Sequence, residues 1–268
     1  MRWLVSMQIF DSHTHINADQ FVNDLSAVVD RARALGVTHM LVLGDNKRTN
    51  ARLMAMLDRF PHIYGAAGCH PEDALQYDSK WENALRKMAR HPRFRVIGEI
   101  GLDYHCTVDH QLQWRVFEAQ LALAEELGLP VSIHNRDAFA DTYAILREHQ
   151  AALVGGIMHS FNGDAQWAEK FLALGFYLSY SGVVTFHGAP EVREAAQATP
   201  LTRMLVETDA PYLTPMPYRE RMNEPGMTRY TVEYLAQLRE MPAMALAQQT
   251  FNNAMRMIES GKQQTNEN

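Results

Sequence analysis

Cysteine is nearly absent. Cys69 and Cys106 are the only two in 268 residues, which excludes a disulfide framework and points to a reducing cytoplasm. Lysine is scarce too: Lys47, Lys80, Lys87, Lys170 and Lys262 are the full set. Positive charge is not in excess, because 25 Lys and Arg face 31 Asp and Glu for a net charge of −6. A protein that follows duplex nucleic acid carries a basic footprint. Any nucleic-acid chemistry here is therefore expected at a short segment or a chain end, with bound metal and a few arginines supplying positive charge locally. No apolar run approaches the length of about 20 residues that spans a bilayer, so no membrane is expected. Met1 to Met7 lacks the long apolar stretch and small-residue cleavage site of a secretory signal. Residues 1–6 read as a start-site extension, because Met7 directly precedes the first apolar run.

Low-complexity linkers and internal repeats are also missing, so residues 1–268 read as one domain. What is present is a regular alternation. Eight short apolar runs recur at Gln8–Asp11, His39–Gly44, Ile63–Gly68, Arg95–Glu99, Pro130–His134, Gly155–His159, Phe176–Ser181 and Arg203–Glu207. Their continuous hydrophobicity suits strands covered on both faces. Between them lie helical stripes. Leu25, Val28, Val29, Ala32 and Leu35 end at Gly36; Trp114, Phe117, Leu121 and Ala124 end at Gly128; Trp167, Phe171 and Leu174 end at Gly175. Strict strand–helix alternation predicts a parallel sheet. Eight units in a chain with 47% hydrophobic residues predict an α/β fold, a single (β/α)8 TIM barrel. A doubly wound open sheet is disfavoured, because no glycine-rich phosphate loop follows the first run. The methionines at 54, 56, 255 and 257 read as core filler.

Polar residues cluster where the runs end. The first closes on Asp11-Ser12-His13-Thr14-His15. Residues two apart share a strand face, so His13 and His15 aim side by side; as an isolated pair they read equally well as surface histidines. Glu99 sits among apolar neighbours at the end of the fourth run. A buried carboxylate there needs a cation, a donor network or a proton. His134 ends the fifth run, His159 the sixth, and Glu207-Thr208-Asp209 follow the eighth. Each of these has an ordinary reading, such as a hydrogen-bonded strand end or a turn cap. Five strands that each deliver a ligand-capable side chain to the rim used by barrel active sites point to a metal site.

At these residues the sequence resembles the TatD family of metal-dependent deoxyribonucleases, within the amidohydrolase superfamily. The matching stretches are Asp11–His15 (DSHTH), Gly68–Pro71 (GCHP), Gly98–Tyr104 (GEIGLDY), His134–Ala138 (HNRDA), His159–Phe161 (HSF), Glu207–Leu213 (ETDAPYL) and Asn223–Pro225 (NEP), in order along nearly the whole chain. The resemblance implies that His13, His15 and Asp209 hold one divalent cation, that His134 and His159 hold a second, and that Glu99 bridges them. Asp209 would also accept a proton from the attacking water, so Glu99 and Asp209 are the catalytic candidates. Many members of the superfamily bridge their metals with a carboxylated lysine. No Lys stands at a strand end here, which leaves Glu99 for that role.

The resemblance further implies a 3′-5′ deoxyribonuclease acting on single-stranded DNA ends. The alternative is a small-molecule or aminoacyl-ester amidohydrolase using the same two-metal site. The nitrogen-rich ligand set suits Zn²⁺ or Mn²⁺, and the family association favours Mg²⁺ or Mn²⁺. Candidate substrate-binding residues are His70, Asp103, Tyr104, Arg136 and Asn223. Arg136 forks onto a phosphate or makes a surface salt bridge; His70 meets phosphate or caps the turn at Pro71. Tyr104 stacks a base or packs the rim; Asn223 lines the pocket after the eighth run. Asp11 is expected to orient a ligand histidine from behind. Cys69, Asn135, His187 and the Met222 that separates Arg221 from Asn223 depart from the family pattern. They bear on substrate preference.

Overall fold

The computed structural model describes residues 7–150 and 152–261; the expected extension at 1–6 lies outside them. Eight strands pair in chain order, each parallel to the next. They are β1 (Ile9–Thr14), β2 (Val37–Gly44), β3 (Ile63–Ala67), β4 (Phe94–Asp103), β5 (Val131–Arg136), β6 (Gly156–Met158), β7 (Tyr177–Tyr180) and β8 (Met204–Val206). Around them run α1 (Leu25–Ala34), α2 (Lys47–Arg59), α3 (Ser79–Met88), α4 (His110–Leu127), α5 (Phe139–His149), α6 (Ala165–Ala173), α7 (Pro190–Ala198), α8 (Thr228–Leu238) and α9 (Ala243–Ser260). This is the (β/α)8 barrel that the alternation predicts.

The strand interior is filled from one end. Phe10, Leu41, Leu43, Ala66, Val96, Ile157, Tyr177 and Leu205 meet Ala254, Met257 and Ile258 of α9 in one buried cluster. Helix α9 thus plugs the barrel at the N-terminal ends of the strands, and Met257 is core filler as expected. A larger apolar layer joins the outer strand faces to the helices. With that end sealed, the C-terminal ends are free to carry polar side chains.

The helix stops fall where glycine permits a left-handed residue. Gly128 closes α4 at φ +60°, and its N–H bonds back to the Ala124 and Glu125 carbonyls. One expected core position differs: Trp114 of α4 is 38% exposed and turns to the rim, where its indole N–H donates to the Tyr104 hydroxyl at 2.6 Å.

Three strands run further at their C-terminal ends than the apolar runs suggest, β5 reaching Arg136. β1 reaches Thr14 and β4 reaches Asp103, because polar residues continue the ladder past the hydrophobic stretch. Gly101 makes the extension of β4 possible. A Cβ there would lie 2.0 Å from the His134 carbonyl oxygen, and its φ of +145° also excludes most side chains. β6 and β8 are shorter than expected and stop before His159 and Glu207.

The seam between β1 and β8 is closed mainly by residues just past β8. Asp209 N–H donates to the His13 carbonyl at 2.9 Å, and His15 N–H donates to the Ala210 carbonyl at 2.8 Å. The Asp11 carboxyl is fully buried and accepts from Thr208 N–H at 2.9 Å and meets Thr208 Oγ1 at 2.6 Å. Burial pushes that carboxyl up to about 8, with the Thr208 bonds pulling it back. The expectation that Asp11 orients a ligand ring is corrected here: it reaches His13 only through the backbone N–H, at 3.4 Å. Its position two residues before His13 puts it one ladder step below the ring, level with Thr208.

Asp11→Ala leaves two buried Thr208 groups without their partner, each worth about 1–3 kcal/mol. A loss of about 3 kcal/mol in unfolding free energy is expected by denaturant titration. A loss below 1 kcal/mol would show that the seam does not depend on this bond pair.

Candidate metal centre

Six polar side chains converge at the C-terminal end of the barrel, and Glu99 lies at their centre. It is 4% exposed. Its Oε2 lies 3.3 Å from His13 Nε2 and 3.3 Å from His15 Nε2. Its Oε1 lies 2.9 Å from His134 Nδ1 and 2.8 Å from His159 Nε2. Each carboxylate oxygen therefore faces its own pair of imidazoles.

Asp209 completes the first group. Its Oδ1 stands 3.6 Å from His13 Nε2 and 3.5 Å from His15 Nε2, and the two imidazole nitrogens are 3.1 Å apart. Four donors arranged tetrahedrally at about 2.0–2.2 Å from an ion are about 3.3–3.6 Å from one another. The residues thus fit one divalent cation. In the second group His134 Nδ1 and His159 Nε2 are 3.4 Å apart, and together with Glu99 Oε1 they fit another.

The outer nitrogens are held from behind, as ligand histidines require. His134 Nε2 lies 2.9 Å from Asp103 Oδ2, His159 Nδ1 lies 3.2 Å from Glu207 Oε1, and His15 Nδ1 lies 3.2 Å from the Leu43 carbonyl. Glu207 is fully buried and also accepts from Ser160 N–H at 2.8 Å. With His13 and His159 it forms a further donor triad, and its Oε2 is buried with no hydrogen-bond partner among the described residues.

Opposing effects set the charges. Burial pushes the Glu99 carboxyl up, yet the imidazoles of His159, His13 and His134 outweigh it and hold the group well below the usual range. For Asp209 burial raises and His15 leads the groups that lower it, with a net shift downward. Burial alone lowers the histidines. In His15 the bonds to Asp209 and Glu99 reverse that, in His134 those to Asp103 and Glu99, and in His159 the Glu99 charge and the Glu207 bond. All three stand above 6.5 in the metal-free protein. His13 stays below, dominated by burial.

The backbone is strained beside the ligands. Asp209 has φ +58° and Ser160, next to His159, has φ +40°. Left-handed conformations for non-glycine residues cluster at functional sites.

The chain belongs to the TatD-related DNase family. The family model described as TatD related DNase matches residues 10–259. The chain is 42% identical over 251 residues to the uncharacterized metal-dependent hydrolase YabD of Bacillus subtilis, covering 93% of this chain and 98% of that one. It is 34% identical over 252 residues to a protein of Escherichia fergusonii named 3′-5′ ssDNA/RNA exonuclease TatD, covering 91% and 96%. The crystal structure of YJJV, a TatD homolog from Escherichia coli, superposes with a TM-score of 0.88 at 29% identity, covering 93% of this chain and 97% of that one. The TatD-family chain described here is thus a metal-dependent hydrolase. No helix among the described residues is long and apolar enough to cross a membrane.

The substrate-binding candidates divide. A pocket of 580 Å³ above the donors is lined by His70, Asp103 and Arg136, but not by Tyr104 or Asn223. His70 takes the capping role, and its second ring nitrogen faces the donors. Its Nδ1 accepts from Glu72 N–H at 3.3 Å and caps the 3-10 turn Pro71–Gln76, while Nε2 points to Glu99 Oε1 at 3.7 Å. Burial, and then the neighbouring His134, bring its pKa down to about 4, so the ring is neutral at pH 7 with its proton on Nε2. Among the described residues Arg136 has no carboxylate partner, so the salt-bridge alternative does not hold. Asp103 is 2% exposed and serves His134.

Asn223 is fully buried and donates to the Thr208 and Tyr212 carbonyls, beneath the pocket floor. Tyr104 bonds Asp141 and Trp114, and its face is stacked on His110 at 3.8 Å between centroids, so rim packing is its role. Lys47, the lysine nearest a strand end, lies with Nζ 5.3 Å over the Trp81 ring in a separate trough between α2 and α3.

Glu207 and Tyr212 went unassigned in the sequence. Both stand in the stretch Glu207–Leu213, and only the path of the chain after β8 separates ligand, support and rim.

Divalent ions must displace protons from His15, His134 and His159, whose pKa values stand above 6.5. Metal affinity is therefore expected to rise from pH 6 to 8, by up to about tenfold per unit for each proton displaced, and to level off above those values. Titration calorimetry in buffers of different ionisation enthalpy reads both the affinity and the proton release. Equal affinity at pH 6 and 8 with no proton release would contradict the charge assignment.

Proposed function

We propose that this protein hydrolyses phosphodiester bonds at the 3′ ends of single-stranded nucleic acid, DNA in particular, and that it does so with two divalent cations, Mg²⁺, Mn²⁺ or Zn²⁺. The observation that carries this reading is the Glu99 carboxylate, whose two oxygens each meet a separate donor group. His13, His15, Asp209 and Glu99 would hold one ion, and His134, His159 and Glu99 the other. Bound cations at such a site supply Lewis acidity toward water and offset the charge of a phosphate.

The protein's own groups do the rest. The Asp209 side chain keeps 14% exposure against 5% for Glu99, so water reaches it. Its lowered pKa keeps it ionised, and it takes the proton that the attacking water loses. Arg136 lines the pocket, has no carboxylate partner among the described residues, and can fork onto phosphate oxygens. His70 Nε2–H points inward as a neutral donor. Asn135 also lines the pocket, with its Oδ1 accepting from Thr142 Oγ1 at 2.7 Å. The two nitrogen donors, Arg136 and His70, at one pocket favour a phosphate over the uncharged ester or amide of the alternative reading. The net charge of −6 suits an enzyme that acts at ends. Relatives named 3′-5′ ssDNA/RNA exonuclease support the same choice.

Metal-stripped protein resupplied with each ion and given 5′-labelled single-stranded DNA is expected to shorten it stepwise from the 3′ end. Asp209→Asn should lower kcat by about 10²–10⁴-fold. Intact DNA with every ion, from protein shown to bind metal, would reject the nuclease reading and favour a small ester or amide substrate.

A further inference from the structure

Tyr212 is 60% exposed, although its ring is large and aromatic. It lines the same pocket as Glu99 and Asp209 and stands three residues beyond Asp209. Among the described residues its side chain has no hydrogen-bond or ring partner, so the fold gains little from it.

Its backbone, by contrast, is fixed. Tyr212 N–H donates to the Asp209 carbonyl at 2.9 Å, its carbonyl accepts from Asn223 Nδ2, and Asn223 N–H donates to the Pro211 carbonyl at 3.2 Å. Asp209 and Leu213 bracket it with φ of +58° and +55°. The bond from His15 N–H to the Ala210 carbonyl ties the segment to β1. The ring is thus anchored on the same short loop as a metal-ligand candidate, and binding against it orders only side-chain torsions.

Other rim aromatics are committed elsewhere. Tyr104 is stacked by His110 and bonded at its hydroxyl, Trp114 donates to Tyr104, and neither lines the pocket. Val183 and Leu213 give the pocket its apolar wall beside Tyr212.

We propose that Tyr212 is the platform on which the base of the 3′-terminal nucleotide stacks while its phosphate lies at the acidic centre. This deepens the nuclease reading and rests on it. An aromatic face accepts any base, so such a platform selects for the presence of a base and not for its identity. Strands that end in an abasic nucleotide are then poor ligands.

The test uses Mn²⁺-loaded protein and a short single strand that carries 2-aminopurine at its 3′ end, joined by a cleavage-resistant phosphorothioate. Wild type should quench the 2-aminopurine fluorescence, and Tyr212→Phe should quench it equally. Tyr212→Ala and Tyr212→Leu should lose the quenching and bind roughly tenfold more weakly. A strand with an abasic 3′ end should bind wild type and Tyr212→Ala alike. Quenching and affinity in Tyr212→Ala equal to wild type would overturn the proposal and leave the nuclease reading standing. Loss of quenching in Tyr212→Phe would overturn it in favour of a hydroxyl contact. Failure of wild type both to bind and to shorten single strands would remove the nuclease reading and this proposal together.

Discussion

A single carboxylate in the mouth of the barrel sets the terms for the rest of the site. Glu99 is buried, ionised and surrounded by imidazole nitrogens of His13, His15, His70, His134 and His159, all within 4 Å of its oxygens. An isolated buried carboxylate is costly to ionise. Here the cost is offset by neighbours that share protons with it, which is why His15, His134 and His159 stand above 6.5 while His13 and His70, dominated by burial, stand below. Cations that bind in place of those protons substitute one positive charge for another. The protonated site is a preorganised substitute for the loaded one.

That arrangement constrains the backbone. Glu99 is presented from a strand that continues four residues further, to Asp103, and the continuation brings Asp103 to the far nitrogen of His134. Gly101 is what lets β4 and β5 approach closely enough for this. On the opposite side the barrel is closed by Asp11 and Thr208, and the same seam carries His13, His15 and Asp209. Fold closure and ligand placement are one structural event there. A change that loosens the seam displaces Asp209 relative to both histidines.

Much of this was legible in the sequence, because it depends on strand position alone. All eight strands fall within the apolar runs or extend them, and His13, His15, Glu99, His134, His159 and Asp209 all reach the centre. Side-chain roles that depend on loop path or ring direction were not legible. Asp103 reads as a residue beyond β4, yet the strand continues through it and turns it onto His134. Asn223 belongs to a matching stretch, but its amide holds two backbone carbonyls under the pocket. Tyr104 and Tyr212 look alike in the sequence. Only the packing of His110, Trp114 and Asp141 shows that the first is occupied, and only the left-handed residues at 209 and 213 show how the second is turned outward.

The joint dependence of both donor groups on Glu99 is open to direct measurement. Metal content per chain can be counted by elemental analysis after dialysis at a fixed free Mn²⁺ concentration, in Glu99→Ala beside His134→Ala and wild type. Loss of both ions from Glu99→Ala, with one ion retained by His134→Ala, is the expected result. One ion per chain held by Glu99→Ala at wild-type affinity would contradict a shared carboxylate.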